Sequence, residues 1–242
     1  MARLAAARVL VVGVGGVGSW CAEALARTGV GAITLVDDDV VQPSNVNRQC
    51  PATAAAIGRP KVEAMRERIL AVNPACEVEA RCERYAAGGD FSRYAAAADA
   101  IDSVGAKAEL ILAATAAGVP FVSSMGAALR MDPTAVRVTR FEKVEGDGLA
   151  RALRRRFREL GRFPTARFGC VWSREAPAAE SAAGARGSLM TVTATFGMCL
   201  AAECIRAIAA DGRESGTCRH GARYSSTSTA RFSTPAPTSP PR

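Results

Sequence analysis

Four glycines near the start of the chain, Gly13, Gly15, Gly16 and Gly18, directly follow the apolar run Val9–Val12. A buried strand that enters a glycine turn and then a helix exposes backbone N–H groups to an anion at the positive end of that helix. The pattern therefore predicts a phosphate-binding turn. The glycine motif alone is not specific, because dinucleotide-dependent enzymes share it, so an NAD-dependent oxidoreductase stays open as an alternative.

Three acidic residues, Asp37, Asp38 and Asp39, follow the next predicted strand, Ala32–Val36. They lie roughly twenty residues after the glycines, at the spacing where an acidic side chain meets a ribose hydroxyl in nucleotide-binding folds. We expect Asp37 and Asp39 to lie beside the bound nucleotide.

A second group of polar residues points to a triphosphate rather than a redox cofactor. Arg48 can form paired hydrogen bonds with phosphate oxygens, and Asn45 can bind beside it. Lys61 supplies a second cation, and Asp102, which follows a predicted short strand at Ala100–Ile101, offers a carboxylate for Mg²⁺. The four side chains are predicted to meet at the carboxyl edge of a parallel sheet, where such folds bind ligands.

Strand and helix patterns alternate along the chain, which predicts an α/β fold: a Rossmann-like, mostly parallel sheet with helices on both faces. We predict one domain over residues 1–210, with a basic substrate-binding insertion at 139–188 and a disordered tail at 211–242. The predicted strands are Val9–Val12, Ala32–Val36, Glu77–Arg81, Ala100–Ile101, Pro120–Ser124 and an edge strand between Val136 and Phe141. The predicted helices are Val17–Thr28, Pro60–Val72, Lys107–Ala117, Leu149–Leu160 and Met190–Ala209.

The formal charge of +8 is unevenly distributed. Residues 139–167 carry nine basic and four acidic side chains, a net charge of +5. Residues 211–242 carry the other +3, so the remaining residues are neutral in sum. A concentrated basic segment favours a polyanionic partner, and tRNA is one of suitable charge. The predicted contacts lie on the basic helix: Arg151, Arg154, Arg155, Arg156 and Arg158.

Eight cysteines are scattered without a Cys-x-x-Cys pair, which argues against both a zinc knuckle and a disulfide framework and favours the reducing cytoplasm. Cys170 lies between Arg167 and Arg174, which would favour its thiolate, and we place it on an accessible loop as a candidate nucleophile. The alternative is that the Cys170 thiol has no role in catalysis. The apolar run Val192–Ala202 is too short to span a bilayer, so no membrane segment is expected.

Five motifs, in order and at compatible spacings over roughly residues 9–140, resemble the adenylation-domain signature of the ubiquitin-activating-enzyme-like superfamily, which includes ThiF, MoeB and HesA. They are Gly13–Ser19, Asp37–Asp39, Ser44–Gln49, Gly58–Lys61 and Ala100–Ser103.

The resemblance implies a reaction and a role for each site residue. In that superfamily a substrate carboxylate attacks the α-phosphate of ATP, giving an acyl-adenylate and pyrophosphate. By resemblance, the glycines and Asp37 hold the adenosine and its ribose. Arg48 and Lys61 hold the phosphates, while Asp102 carries Mg²⁺.

Four further segments resemble one branch of the superfamily, which activates the threonylcarbamoyl carboxylate of a modified adenosine in tRNA and closes it to a cyclic form. They are Ala22–Leu35, Arg151–Arg162, Gly169–Glu175 and Val192–Gly197. This branch implies a tRNA substrate, a homodimer and a sulfur-relay partner. Two alternatives remain, a sulfur-carrier-protein adenylyltransferase of the same superfamily and a degenerate tRNA-binding relative without catalysis.

Two departures from the family pattern concern activity. Family members begin with a helical segment whose arginine reaches into the partner subunit's ATP site, whereas only eight residues precede Val9 here. We expect this element to be missing, unless Arg3 or Arg8 substitutes. A family segment that carries a cysteine corresponds to residues 180–188, which contain none.

Overall fold

A computed structural model describes residues 1–86, 88–178 and 187–210. Residues 1–210 form one compact unit. The disorder predicted for residues 211–242 lies outside the described residues, as does most of the cysteine-free segment at 180–188.

Seven strands form one sheet in the order β3-β2-β1-β4-β5-β7-β6, and all neighbours are parallel except β6 and β7. This confirms the predicted fold class. The strands are β1 Arg8–Val12, β2 Ala32–Val36, β3 Glu77–Arg81, β4 Ala96–Asp99, β5 Phe121–Ser124, β6 Val136–Arg140 and β7 Gly169–Ser173.

Six α-helices accompany the described strands: α1 Ala2–Ala5, α2 Gly18–Arg27, α3 Lys61–Val72, α4 Val104–Ala117, α5 Gly148–Leu160 and α6 Met190–Ala209. They cover both faces of the sheet, because alternate residues of β1 point to opposite sides. Val9 and Val11 pack in the cluster that contains the apolar residues of α2 and α6, whereas Leu10 and Val12 pack with α4. A strand buried on both faces explains the unbroken apolar run.

Helix α6 packs closely on α2. A Cβ at Gly197 would lie 2.4 Å from the carbonyl oxygen of Val17, so only glycine permits this approach. By length and composition α6 is apolar enough to cross a membrane, a test that core helices of soluble proteins also pass. Here Phe196 and Leu200 are fully buried in the core beneath it.

The fourth strand ends earlier than predicted. It spans Ala96–Asp99 rather than Ala100–Ile101. The sequence did not indicate this strand, because alanine and aspartate lack the β-branched side chains that are typical of strands. Residues 100–103 instead form the loop that leads into α4. Asp102 therefore lies three residues beyond the strand end.

The segment predicted as a basic insertion, residues 139–188, contributes a strand to the sheet. β7 lies between β5 and the antiparallel edge strand β6, and α5 packs with α4 over the same end of the sheet through Leu153 and Phe157.

The predicted absence of a helix ahead of β1 is wrong in part, since α1 is a single helical turn. Its Arg3 donates to the carbonyls of Ala209 and Ala210 at the end of α6. Arg8 pairs with Glu77 at 2.6 Å. Both arginines therefore bind within the chain.

Candidate nucleotide site

The carboxyl ends of the central strands are in register. Val12 pairs with Val36 on one side and with Asp99 on the other, so the residues that follow these three strands emerge at one edge. This register brings the glycine turn, the acidic triplet and the loop before α4 together, as the sequence predicted.

Two of the four glycines are required by the turn itself. Gly13 has a φ of +90°, and a Cβ there would lie 2.7 Å from the carbonyl oxygen of Ala100. At Gly18 a Cβ would lie 1.8 Å from the carbonyl oxygen of Gly13. These glycines let the chain fold back sharply into α2.

Of the other two glycines, Gly15 leaves space above the turn, whereas Gly16 packs against the aliphatic part of Arg48. At Gly15 the nearest atom to an added Cβ is the side-chain nitrogen of Gln49, 3.9 Å away, and at Gly16 it is Cγ of Arg48, 3.3 Å away. The described residues would leave room for a side chain at Gly15, and glycine keeps this space open. An open backbone surface at the N-terminus of α2 fits the approach of phosphate groups.

Asp37 is tied to this turn. Its Oδ2 accepts a hydrogen bond of 2.6 Å from the N–H of Val14, and its Oδ1 accepts one of 2.9 Å from the N–H of Asp39. Burial raises the pKa of the carboxyl group, against the lowering effect of these two hydrogen bonds. Asp37 therefore fixes the start of the turn in addition to its predicted role towards a ribose.

Lys61 and Asp39 form an ion pair beside the turn. Nζ of Lys61 lies 2.6 Å from Oδ2 of Asp39, and the Lys61 side chain is almost fully buried at the first residue of α3. The carboxylate of Asp39 is largely exposed, so the pair holds a buried cation at the rim of the site. Asp38 faces Arg84 instead, at 3.3 Å.

Arg48 lies against the glycine turn. Its aliphatic part contacts Gly16, its carbonyl accepts a hydrogen bond from the indole of Trp20, and Nη1 donates to the carbonyl of Ser44 and the side chain of Asn47. Among the described residues, the guanidinium group of Arg48 therefore donates through only one of its three nitrogens, Nη1. Nε and Nη2 stay available for phosphate oxygens.

Asn45 is buried, and its Oδ1 caps the short 3₁₀ turn Pro43–Asn45 by accepting from the N–H of Gln42. Its side chain thus shapes the loop that carries Arg48.

Gln49 was not predicted as a site residue, although it belongs to the same motif. The side chain is buried beside Gly15, and its Oε1 has no hydrogen-bond partner among the described residues. A buried acceptor without a partner is costly, so Oε1 is a candidate contact for a group that binds at the turn. The signal in the sequence was its position next to Arg48.

Asp102 is exposed on the loop that packs against Gly13. Among the described residues, no hydrogen bond or ion pair engages its carboxylate. A free carboxylate beside a phosphate-binding turn is a donor of the type that Mg²⁺ prefers, so the residue fits the predicted metal role.

The predicted loop position of Cys170 is wrong. The residue lies in β7 with no exposed surface, and burial raises the pKa of its thiol well above the usual range despite nearby Lys107. A buried, protonated thiol is a poor nucleophile. The structure therefore favours the alternative in which this thiol has no role in catalysis, since it is part of the core.

The arginines of α5 do not form one surface. Arg151, Arg155 and Arg158 are exposed, but Arg154 lies over the ring of Phe141 at 5.0 Å and donates to the carbonyls of Phe141 and Val144. Arg154 therefore has a local structural role, and its contact with tRNA stays a prediction. Arg156 is half-buried and lies 3.6 Å from Glu159.

Comparison with known proteins gives the same family as the motifs. A model of the ThiF family matches residues 1–240. The chain is 36% identical to the tRNA threonylcarbamoyladenosine dehydratase of Escherichia coli, over 87% of the chain and 89% of that protein. It is 43% identical to the Bacillus subtilis dehydratase over 63% of the chain and 62% of that protein.

A solved structure resembles the chain over a similar extent. The E. coli dehydratase, TcdA, in complex with ATP superimposes with a TM-score of 0.76 at 39% identity, covering 85% of this chain and 86% of that one. The comparisons confirm the resemblance drawn from the motifs, and they do not favour the sulfur-carrier and non-catalytic alternatives.

Proposed function

The chain belongs to the ThiF family, and from this membership we propose that it is an ATP-dependent tRNA threonylcarbamoyladenosine dehydratase. The observation that carries the proposal is the register of the central strands, which brings the glycine turn, the acidic triplet and the loop with Asp102 to one edge. Arg48 packs against this turn, and Lys61 pairs with Asp39. This edge has open backbone for phosphates and cations for their charge. Mg²⁺, carried by Asp102, would supply further charge neutralisation on the phosphates.

The reaction consists of activation and ring closure. An oxygen of the threonylcarbamoyl carboxylate bonds to the α-phosphorus of ATP, while the bond between the α- and β-phosphates breaks and pyrophosphate leaves. An atom of the same modification then attacks the activated carbonyl carbon, the ring closes and AMP leaves. The modified adenosine has then lost the equivalent of one water. Because the attacking atom belongs to the substrate, no enzyme nucleophile is needed, in agreement with the buried state of Cys170.

The chain contributes mainly electrostatic stabilisation and positioning. Negative charge increases on the leaving pyrophosphate, and Nε and Nη2 of Arg48, whose aliphatic part lies against Gly16, would receive it. Lys61, now paired with Asp39, adds a second cation when it exchanges this carboxylate for a phosphate oxygen. Oε1 of Gln49, which has no partner among the described residues, would accept a hydrogen bond from a hydroxyl or amino group of the nucleotide.

The test is mass spectrometry of nucleosides after incubation of the protein with ATP, Mg²⁺ and threonylcarbamoylated tRNA. We expect a modified adenosine lighter by one water, formed only when ATP is present. Arg48→Ala and Asp102→Ala should abolish the product. Arg59→Ala is the matched control, since Arg59 pairs with Glu67 on the surface of α3 and should retain activity. Product formation without ATP, or unchanged turnover in both site variants, would contradict the proposal.

We also propose that the chain works as a homodimer in the cytoplasm. Val46, Leu189 and Met190 are apolar, each more than two-fifths exposed, and a hydrogen bond from Asn47 to the carbonyl of Ser188 joins their two segments beside the site. A second copy would cover this apolar rim. Light scattering of Val46→Asp, compared with the wild type, tests it: a dimer in both would refute this surface. A sulfur-relay partner stays a prediction from the resemblance alone.

A further inference from the structure

A fully buried ion pair lies directly beneath the loop that carries Asp102. Nζ of Lys107 is 2.8 Å from Oδ2 of Asp99, and neither side chain has exposed surface. Burying two charges in this way is expensive and gives little net stability compared with apolar residues of the same shape. The pair therefore calls for an explanation other than stability.

The pair binds both polar groups of one peptide residue. Nζ of Lys107 donates to the carbonyl of Ile101 at 2.7 Å, and Oδ1 of Asp99 accepts from the N–H of Ile101 at 3.0 Å. Ser123 of the neighbouring strand completes the group by donating to Oδ2 of Asp99 at 2.6 Å. Ile101 is thus held from two sides, and the next residue along the chain is Asp102.

The same loop forms one wall of the glycine turn. The N–H of Ala100 donates to the carbonyl of Val12 at 2.8 Å, and the carbonyl oxygen of Ala100 lies 2.7 Å from the position that a Cβ at Gly13 would take. A shift of the loop would therefore move the carboxylate of Asp102 relative to the turn that receives the phosphates.

We propose that Lys107 and Asp99 are positioning residues, which hold the Asp102 carboxylate at the place where it meets a metal ion on the bound triphosphate. The inference rests on the proposed function. Neither residue touches ATP, and both act through Ile101 on Asp102. Groups that orient a metal ligand commonly affect metal affinity about 10- to 100-fold when they are removed.

The test measures ATP affinity by calorimetry without tRNA, across a titration of Mg²⁺. The main variant is the double substitution Asp99→Asn with Lys107→Met, which removes both charges at nearly constant volume. We expect the half-saturating Mg²⁺ concentration to rise about tenfold or more. ATP affinity without metal should change much less, and Asp102→Asn should behave in the same way.

The matched control is a second buried ion pair, that of Arg130 and Asp147, with a nitrogen–oxygen distance of 3.2 Å. Its double variant, Arg130→Met with Asp147→Asn, should cost comparable stability without changing the Mg²⁺ dependence. An equal change in both double variants would show a general loss of structure and overturn the proposal.

Ser123→Ala keeps the test decisive if the Asp99 and Lys107 double variant does not fold. It deletes one hydrogen bond to Asp99 and should raise the half-saturating Mg²⁺ concentration a few-fold. An unchanged Mg²⁺ dependence in a folded variant of either kind refutes the positioning role. Failure of the wild-type chain to bind ATP refutes the proposed function instead, so the two failures are distinguishable.

Discussion

Two alanine substitutions three residues apart should have opposite effects if the glycine turn is built as described. In Gly18→Ala the new Cβ would lie 1.8 Å from the carbonyl oxygen of Gly13, a backbone atom that cannot rotate away. In Gly15→Ala the nearest protein atom is 3.9 Å away. The first change should destabilise the fold, and the second should leave the fold intact and block the ligand.

The sizes follow from the steric environment. Overpacking costs about 1–3 kcal/mol, which at Gly18 corresponds to a Tm lower by roughly 2–12 °C for a domain of this size. At Gly15 the same cost arises only when phosphate approaches the turn, which weakens ATP binding about 5- to 150-fold. The Tm of Gly15→Ala without ligand should change by less than a few degrees.

Thermal unfolding and calorimetric titration with ATP measure the two quantities separately. Gly148→Ala on α5 is the control, because no atom of the described residues lies within 4 Å of its added Cβ. Wild-type ATP affinity in a folded Gly15→Ala variant would refute the assignment of this turn to phosphate. A loss of stability as large as that of Gly18→Ala would refute the steric account.

Three further outcomes are expected. Cys170→Ala should keep activity within about threefold while losing roughly 1 kcal/mol of stability, since it deletes a buried sulfur; loss of activity in the folded variant would restore the thiol to the mechanism. The raised pKa of Asp37 means that the folded chain binds a proton more tightly at this group than the unfolded chain does. The group therefore lowers the free energy of unfolding as pH rises through the acid range above its usual pKa. Asp37→Asn should flatten this part of a plot of unfolding free energy against pH. Arg155→Gln with Arg158→Gln should weaken tRNA binding and reduce its salt dependence by about one unit per lost phosphate contact, whereas Arg154→Gln should mainly lower the Tm.

Local patterns predicted the elements that build the turn. β1 and β2 follow from β-branched apolar runs, and the position of Asp37 follows from the strand end before it. Because parallel strands present their carboxyl ends at one edge, the meeting of Asp37, Arg48 and Lys61 was predictable without coordinates.

The errors arose where tertiary contacts decide the outcome. β4 is a strand because its alanines fit between β1 and β5, a context that single residues do not reveal. Lys107 looks in the sequence like an ordinary helix residue, although Asp99 holds it in the core. Arg154 and Arg155 are adjacent and identical in type, and only the packing of Phe141 separates a structural arginine from a solvent-exposed one.

The two outermost strands of the sheet are both charged. β3 carries Glu77, Glu79 and Arg81, and β6 carries Arg137 and Arg140. Charged side chains along a free hydrogen-bonding edge oppose the addition of another strand. Two copies of this protein would therefore not join their sheets into one continuous sheet, and any association between them must use loops and helices, leaving each sheet to hold its own nucleotide.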